Sequence, residues 1–194
     1  MTMKEELETP DLRWREIYRA GGYAVIAMLV IMAAQIIIFS VWPPPDTVEG
    51  FFALFQQNWL LGLLSMDLLY LLNNTVIVLI YLALFFSLRR KHESAMLIGL
   101  VLSLVGITAY YASNTSFEML SLRGQYAAAA SEAQRTALLG AGHAMLAVYK
   151  GTAFDSYYIL NGVSLLIFAL VILRGKVYSR ATGYWALASG ILMA

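Results

Sequence analysis

Asp67–Asn74 reads DLLYLLNN, and eighty-eight residues later Asp155–Gly162 reads DSYYILNG. Aspartate, tyrosine, leucine and asparagine recur at one spacing, and each stretch opens a long apolar run. A carboxylate accepts hydrogen bonds or protons, a phenol donates, and a carboxamide does both. On a helix turning about 100° per residue, Asp67, Tyr70 and Asn73 share an arc of about 120°, and Asn74 falls beside Asp67. Asp155, Tyr158 and Asn161 copy that arc. Three chemistries are open to such a set. It can bond helices to one another as scaffold. It can hold a ligand or a transported ion, the default reading of an intramembrane carboxylate. Two carboxylates can also act as acid and base, but no nucleophile or metal constellation accompanies them, so no catalytic residue is assigned.

The elements that position these residues belong to a membrane protein. Of the 194 residues 60% are hydrophobic and 13% charged, with a mean hydropathy of +0.70. Soluble domains are closer to half apolar and a quarter charged. The formal net charge of +1 leaves no basic patch able to track phosphates, so nucleic acid is excluded as a partner. The absence of cysteine removes disulfides, iron–sulfur clusters and thiolate zinc sites. Two histidines do not make a catalytic zinc site. No cofactor and no metal are expected.

Residues 1–20 read as a polar cytoplasmic tail, and 21–42 as an uncleaved first membrane helix ended by Pro43, Pro44 and Pro45. Asp46 with Glu49 has capping-box spacing and opens a short helix over 46–57. Its Val48, Phe51, Phe52 and Phe55 share one face, which suits a helix lying in the membrane interface between Trp42 and Trp59. Residues 59–88 form a thirty-residue apolar run, longer as one helix than the hydrocarbon core, so it must tilt or protrude. Further membrane helices are predicted at 95–113, 154–173 and 181–194. The last would be only about 21 Å long. Either the chain lacks its natural end or that helix is covered by a partner. Residues 115–150 are more polar and carry two capping-box spacings, Thr115 with Glu118 and Ser131 with Gln134, so two outer-face helices are expected, joined near Ala127–Ala130.

Positive charge sets the orientation. Lys4, Arg13, Arg15, Arg19, Arg89, Arg90, Lys91, Arg174, Lys176 and Arg180 fall on one side, against Arg123, Arg135 and Lys150 on the other. The N-terminus is therefore expected in the cytoplasm. Helices two and four then run the same way, each with its Asp–Tyr–Asn element at the outer end. Their exits also match, Leu88-Arg89-Arg90-Lys91 against Leu173-Arg174-Gly175-Lys176. That is the pattern of parallel helical hairpins related by an axis along the membrane normal.

Glu118, His143 and Lys150 could roof an outward-facing polar site built from both elements. Glu118 also reads as a capping residue, and His143 as a buried or interfacial histidine bonded to a neighbour. Pairing with a proton or haem would be its sharper use. Gln35, isolated in the first helix, reads as an interhelical hydrogen bond, and Tyr110 and Tyr111 as members of an interfacial belt.

The DLLYLLNN helix ending in LRR, the stretch RTALLGAGHAML followed by KGTAF, and the closing ILRGKVYSRATGYWAL resemble the bacterial domain-of-unknown-function family numbered 4386. The resemblance runs from about Arg19 to the end. It implies a multi-pass bacterial membrane protein that continues past this chain's last residue, and implies no activity, substrate or cofactor.

The expectation is thus a single integral-membrane domain over 1–194, an all-α polytopic bundle of about five spans in the bacterial cytoplasmic (inner) membrane. Its expected function is non-enzymatic. It would bind a lipid or small amphiphile, or act as an accessory subunit with other membrane-protein subunits. The alternatives are a proton- or cation-linked transporter using Asp67 and Asp155, and an intramembrane hydrolase.

Overall fold

The computed structural model describes residues 11–193, and of Lys91 the backbone only. Lys4 and the rest of the first ten residues, and Ala194, lie outside the described residues. Every regular element among the described residues is helical. A 3-10 turn (Leu12–Trp14) is followed by α1 (Arg15–Val41), α2 (Val48–Gln57), α3 (Trp59–Ser65), α4 (Leu68–Ser113), α5 (Ser116–Ala128), α6 (Glu132–Tyr149), α7 (Thr152–Arg174) and α8 (Arg180–Met193).

Four helical stretches, Leu12–Val41, Leu68–Arg90, His92–Ala128 and Glu132–Arg174, are long and apolar enough to cross a membrane, which marks a membrane protein. Helix α8, where a fifth span was expected, has fourteen residues. Large apolar side chains such as Ile26, Val30, Ile36 and Ile37 stand exposed along α1, as on a helix facing lipid.

Several boundaries differ from the sequence reading. Helix α1 begins at Arg15, inside the stretch read as tail, because charged residues are good helix formers and Arg19 pairs with Glu16 one turn back at 3.3 Å. The apolar run 59–88 is two helices, broken at Met66–Asp67. Helix α2 is capped by Thr47, not Asp46: the Thr47 hydroxyl accepts from the Gly50 amide at 3.1 Å, and its extended backbone is the geometry a cap requires. The Ser131 cap on α6 is present, with its hydroxyl accepting from Gln134 N at 3.3 Å. Thr115 makes no cap bond. Its hydroxyl donates instead to Met145 O at 3.1 Å, while Asn114 Oδ1 accepts from the Ser116 amide.

The chain divides into two compact units. The first comprises residues up to Met28, Asn74–Ala109 and Ser156–Ala194. Its core gathers Tyr81, Phe85, Leu88, Met96, Leu100, Ile107, Phe168, Val171 and Ile172. Within it α4 folds back on itself. His92, the one residue of α4 with non-helical backbone angles, marks the turn. The proof is Asn161: its Oδ1 lies 3.0 Å from the Tyr81 hydroxyl, while a methyl at Gly106 would overlap its Nδ2. In a straight helix Tyr81 and Gly106 would be about 37 Å apart.

The second unit comprises Leu29–Asn73 and Tyr110–Asp155. Helices α2, α3, α5 and α6 pack around Val48, Phe51, Phe52, Phe55, Leu63, Met66 and Met119. The amphipathic face read from the sequence of α2 is real, but it is spent on protein contacts rather than laid on lipid. Val48, Phe51, Phe52 and Phe55 are all buried.

Candidate functional site

Asp67 stands at the break between α3 and α4, in the second unit. Its φ of 64° is left-handed, the one such non-glycine residue among those described. For an L-residue that conformation costs about 1–2 kcal/mol, so surrounding bonds must hold it. They do. Asn114 Nδ2 donates to Met66 O at 2.8 Å, clamping the last carbonyl before the break. The Tyr149 hydroxyl donates to Asp67 Oδ2, and Tyr110 also hydrogen-bonds to the carboxylate. Asp67 is only 7% exposed, and no lysine or arginine among the described residues pairs with it. Tyr110, read as an interfacial residue, is buried here, whereas Tyr111 is exposed.

Further polar groups lie on the same elements and on α1. Gln35 of α1 donates to Leu64 O at 3.4 Å, the interhelical bond expected of it. Its Oε1 and the Ser65 hydroxyl are buried without a partner among the described residues. Asn73, further along α4, is buried too, and its Oδ1 has no partner among the described residues. Tyr70 is half-buried.

The second copy of the element sits differently. Asp155, on the first turn of α7 in the second unit, is exposed, and so is Tyr158. The working tyrosine of DSYY is Tyr157, whose hydroxyl donates to Asn74 Oδ1 at 3.0 Å in the first unit. Asn161 is 1% exposed; it accepts from Tyr81 and donates to Tyr157 O at 3.0 Å. One turn on, Ser164 Oγ donates to Gly99 O at 2.6 Å. Apart from the bond to Tyr157 O, which lies within α7, these bonds run between α7 and both arms of α4, and their partners are protein groups. Asn74 and Asn161 therefore act here as interhelical ties. Among the described residues Asn74 Nδ2 is left buried without a partner.

Glu118 and His143 belong to the second unit and are exposed, so of the two positions read for His143, buried or interfacial, the buried one does not hold. Glu118 lines an open groove between α5 and α6, of about 580 Å³, with Phe117, Ser121, Leu122, Gln125, Ala141, Ala144 and Met145. Its wall is mostly carbon, and Glu118 is its one ionisable group. On the opposite flank of α5 a second cavity of about 300 Å³ is shared with α2. No group of three His, Cys, Asp or Glu among the described residues is placed to hold a metal ion.

Sequence reasoning missed Tyr110, Tyr149, Asn114, Tyr81 and Tyr157 as partners. Each is a polar-tipped residue in an apolar context, which is a usable signal. The pairing is not, since Tyr149 meets Asp67 across 82 residues and Tyr157 meets Asn74 across 83. Compared with known proteins, the chain matches no protein-family model, no curated protein and no solved structure.

Proposed function

We infer that this is a multi-pass protein of the bacterial cytoplasmic membrane, N-terminus inside, which binds a lipid or small amphiphile without transforming it. The observation that carries the reading is the groove between α5 and α6. Its volume of about 580 Å³ and its apolar wall suit an acyl or aryl chain, and Glu118, Ser121 and Gln125 suit a polar head that donates hydrogen bonds. The ten-to-three distribution of basic residues supports the orientation. Membership of the family numbered 4386 remains part of the proposal, supported by the sequence blocks quoted above.

Native mass spectrometry of the protein, extracted gently from its own membrane, tests this. The expected spectrum carries a discrete small mass that is lost when Ala141→Trp and Ala144→Trp fill the groove. A mass retained in the filled variant, or a bare wild-type protein, would reject the groove. A retained protein partner would make the chain an accessory subunit.

One observation favours a second reading, proton- or cation-linked transport. Asp67 is a buried carboxylate with no basic partner among the described residues, at a helix break inside an apolar run, where transporters commonly place coupling-ion sites. Under that reading Asp67→Asn abolishes flux in proteoliposomes and leaves the helical signal unchanged. Undiminished flux would dismiss it.

A further inference from the structure

The cavity between α2 and α5 offers a charge pair that the groove lacks. Glu49, Phe52, Ala53 and Gln56 line it from α2, at the spacing i, i+3, i+4, i+7 that defines one helix face. Arg123, Tyr126 and Ala127 line it from α5 at i, i+3, i+4. Arg123 is half-buried, and its NH2 group donates to the neutral carboxamide oxygen of Gln56. No carboxylate is its partner among the described residues, and its Nε is buried with no acceptor. A guanidinium that lines a cavity beside a neutral carboxamide is a recognition group for an oxyanion.

Glu49 supplies the other pole. It lies seven residues before Gln56 on the same face of α2, so the two ends of the cavity are about 10 Å apart along the helix. Between them Phe52 and Tyr126 form an aromatic floor, with ring centroids 5.3 Å apart and planes tilted at 49°. An ammonium over aromatic rings and beside a carboxylate is doubly favoured. A phosphate and an ammonium two carbons apart, with a hydrogen bond of about 2.8 Å at each end, cover that length.

We propose that this cavity is a binding site for a phosphate–ammonium zwitterion. The oxyanion would sit at Arg123 and Gln56 and the ammonium at Glu49. That chemistry belongs both to a zwitterionic phospholipid headgroup and to free phosphoethanolamine. The site is separate from the α5–α6 groove and does not depend on it.

The test is isothermal titration calorimetry on the full chain in detergent, with three probes. They are phosphoethanolamine, dihexanoyl phosphatidylethanolamine, and dihexanoyl phosphatidylglycerol, which lacks the ammonium. Saturable binding of the ethanolamine probes is expected, weakened about tenfold or more by Arg123→Gln and by Glu49→Gln. Glu49→Gln should leave phosphatidylglycerol binding undiminished, a split that general loss of structure would not produce. Ala53→Leu, at an exposed position, should block the cavity while keeping both charges. Binding of both ethanolamine probes with equal affinity assigns a free headgroup, and binding of the short-chain lipid alone assigns the membrane as source. No saturable ethanolamine binding, or equal binding by wild type and the charge variants, overturns the proposal.

Discussion

The Tyr149 hydroxyl donates to the carboxylate of Asp67 across 82 residues, and so ties the end of α6 to the break between α3 and α4. A strained residue is held by a partner that α6 delivers. Removing either side should therefore cost more than an exposed polar contact would. Tyr149→Phe leaves a buried carboxylate short of a donor and should lower stability by about 1–3 kcal/mol. Asp67→Asn should cost less, because a carboxamide still accepts. Thermal unfolding of the singles and the double variant gives the coupling energy. Strict additivity would mean that the two residues do not act as a unit.

Gly106 has no room for a methyl. It would overlap Asn161 Nδ2, and a Leu160 carbon lies 3.2 Å from the same point. Gly106→Ala should destabilise the hairpin of α4 against α7 by about 1–3 kcal/mol through overpacking. Gly124→Ala faces open space and serves as the control, with little or no loss. Melting temperatures in one detergent check the pair.

The cap on α2 separates two neighbours. Thr47→Ala should cost about 1 kcal/mol, since Gly50 N loses its acceptor. Asp46→Ala should stay within about 0.5 kcal/mol, as expected for a surface position away from the cap. Equal losses from both would place the helix start one residue earlier than described.

Asp11 gives a pH dependence. Its carboxylate accepts from Arg13 Nε at 3.0 Å and lies 3.3 Å from Arg90. The side-chain hydrogen bond from Arg13 holds its pKa well below the ordinary 3.8. A depressed carboxylate stabilises fully above its unfolded value and loses that contribution as pH falls through the folded one. Wild-type stability should therefore fall as pH drops from about 4 toward strong acid, and Asp11→Asn should flatten that limb. Trp14, stacked on Phe86 at 3.8 Å, offers a fluorescence readout of the same corner. A slope identical in wild type and variant would remove Asp11 from the account.

Much of this was legible in the chain. Apolar runs marked a helical membrane protein because composition over about twenty residues is a strong signal. The face of α2 was legible from its period. What covered that face was not, because Phe51 and Phe55 look the same whether they meet lipid or Met119. The break at Asp67 was invisible: nothing in LLSMDLLY forbids a continuous helix, and the groups that bond around the left-handed turn, Asn114, Tyr110 and Tyr149, come from distant segments. Spacing aligned Tyr158 with Tyr70, yet Tyr157 makes the bond, because the direction of a side chain from α7 depends on how that helix is rotated in its packing. The reverse happened at Gln35, where a lone polar group in a lipid-length helix had few options and took the expected one.

The turn at His92 bears on how the chain enters a bilayer. One non-helical residue separates the two arms of α4, and Arg89 and Arg90 stand just before it. A connection that short gives the insertion machinery no loop to thread between two separate events. Arms joined that tightly are expected to enter together, while Asn74 and Tyr81 meet their hydrogen-bond partners only once α7 packs against them.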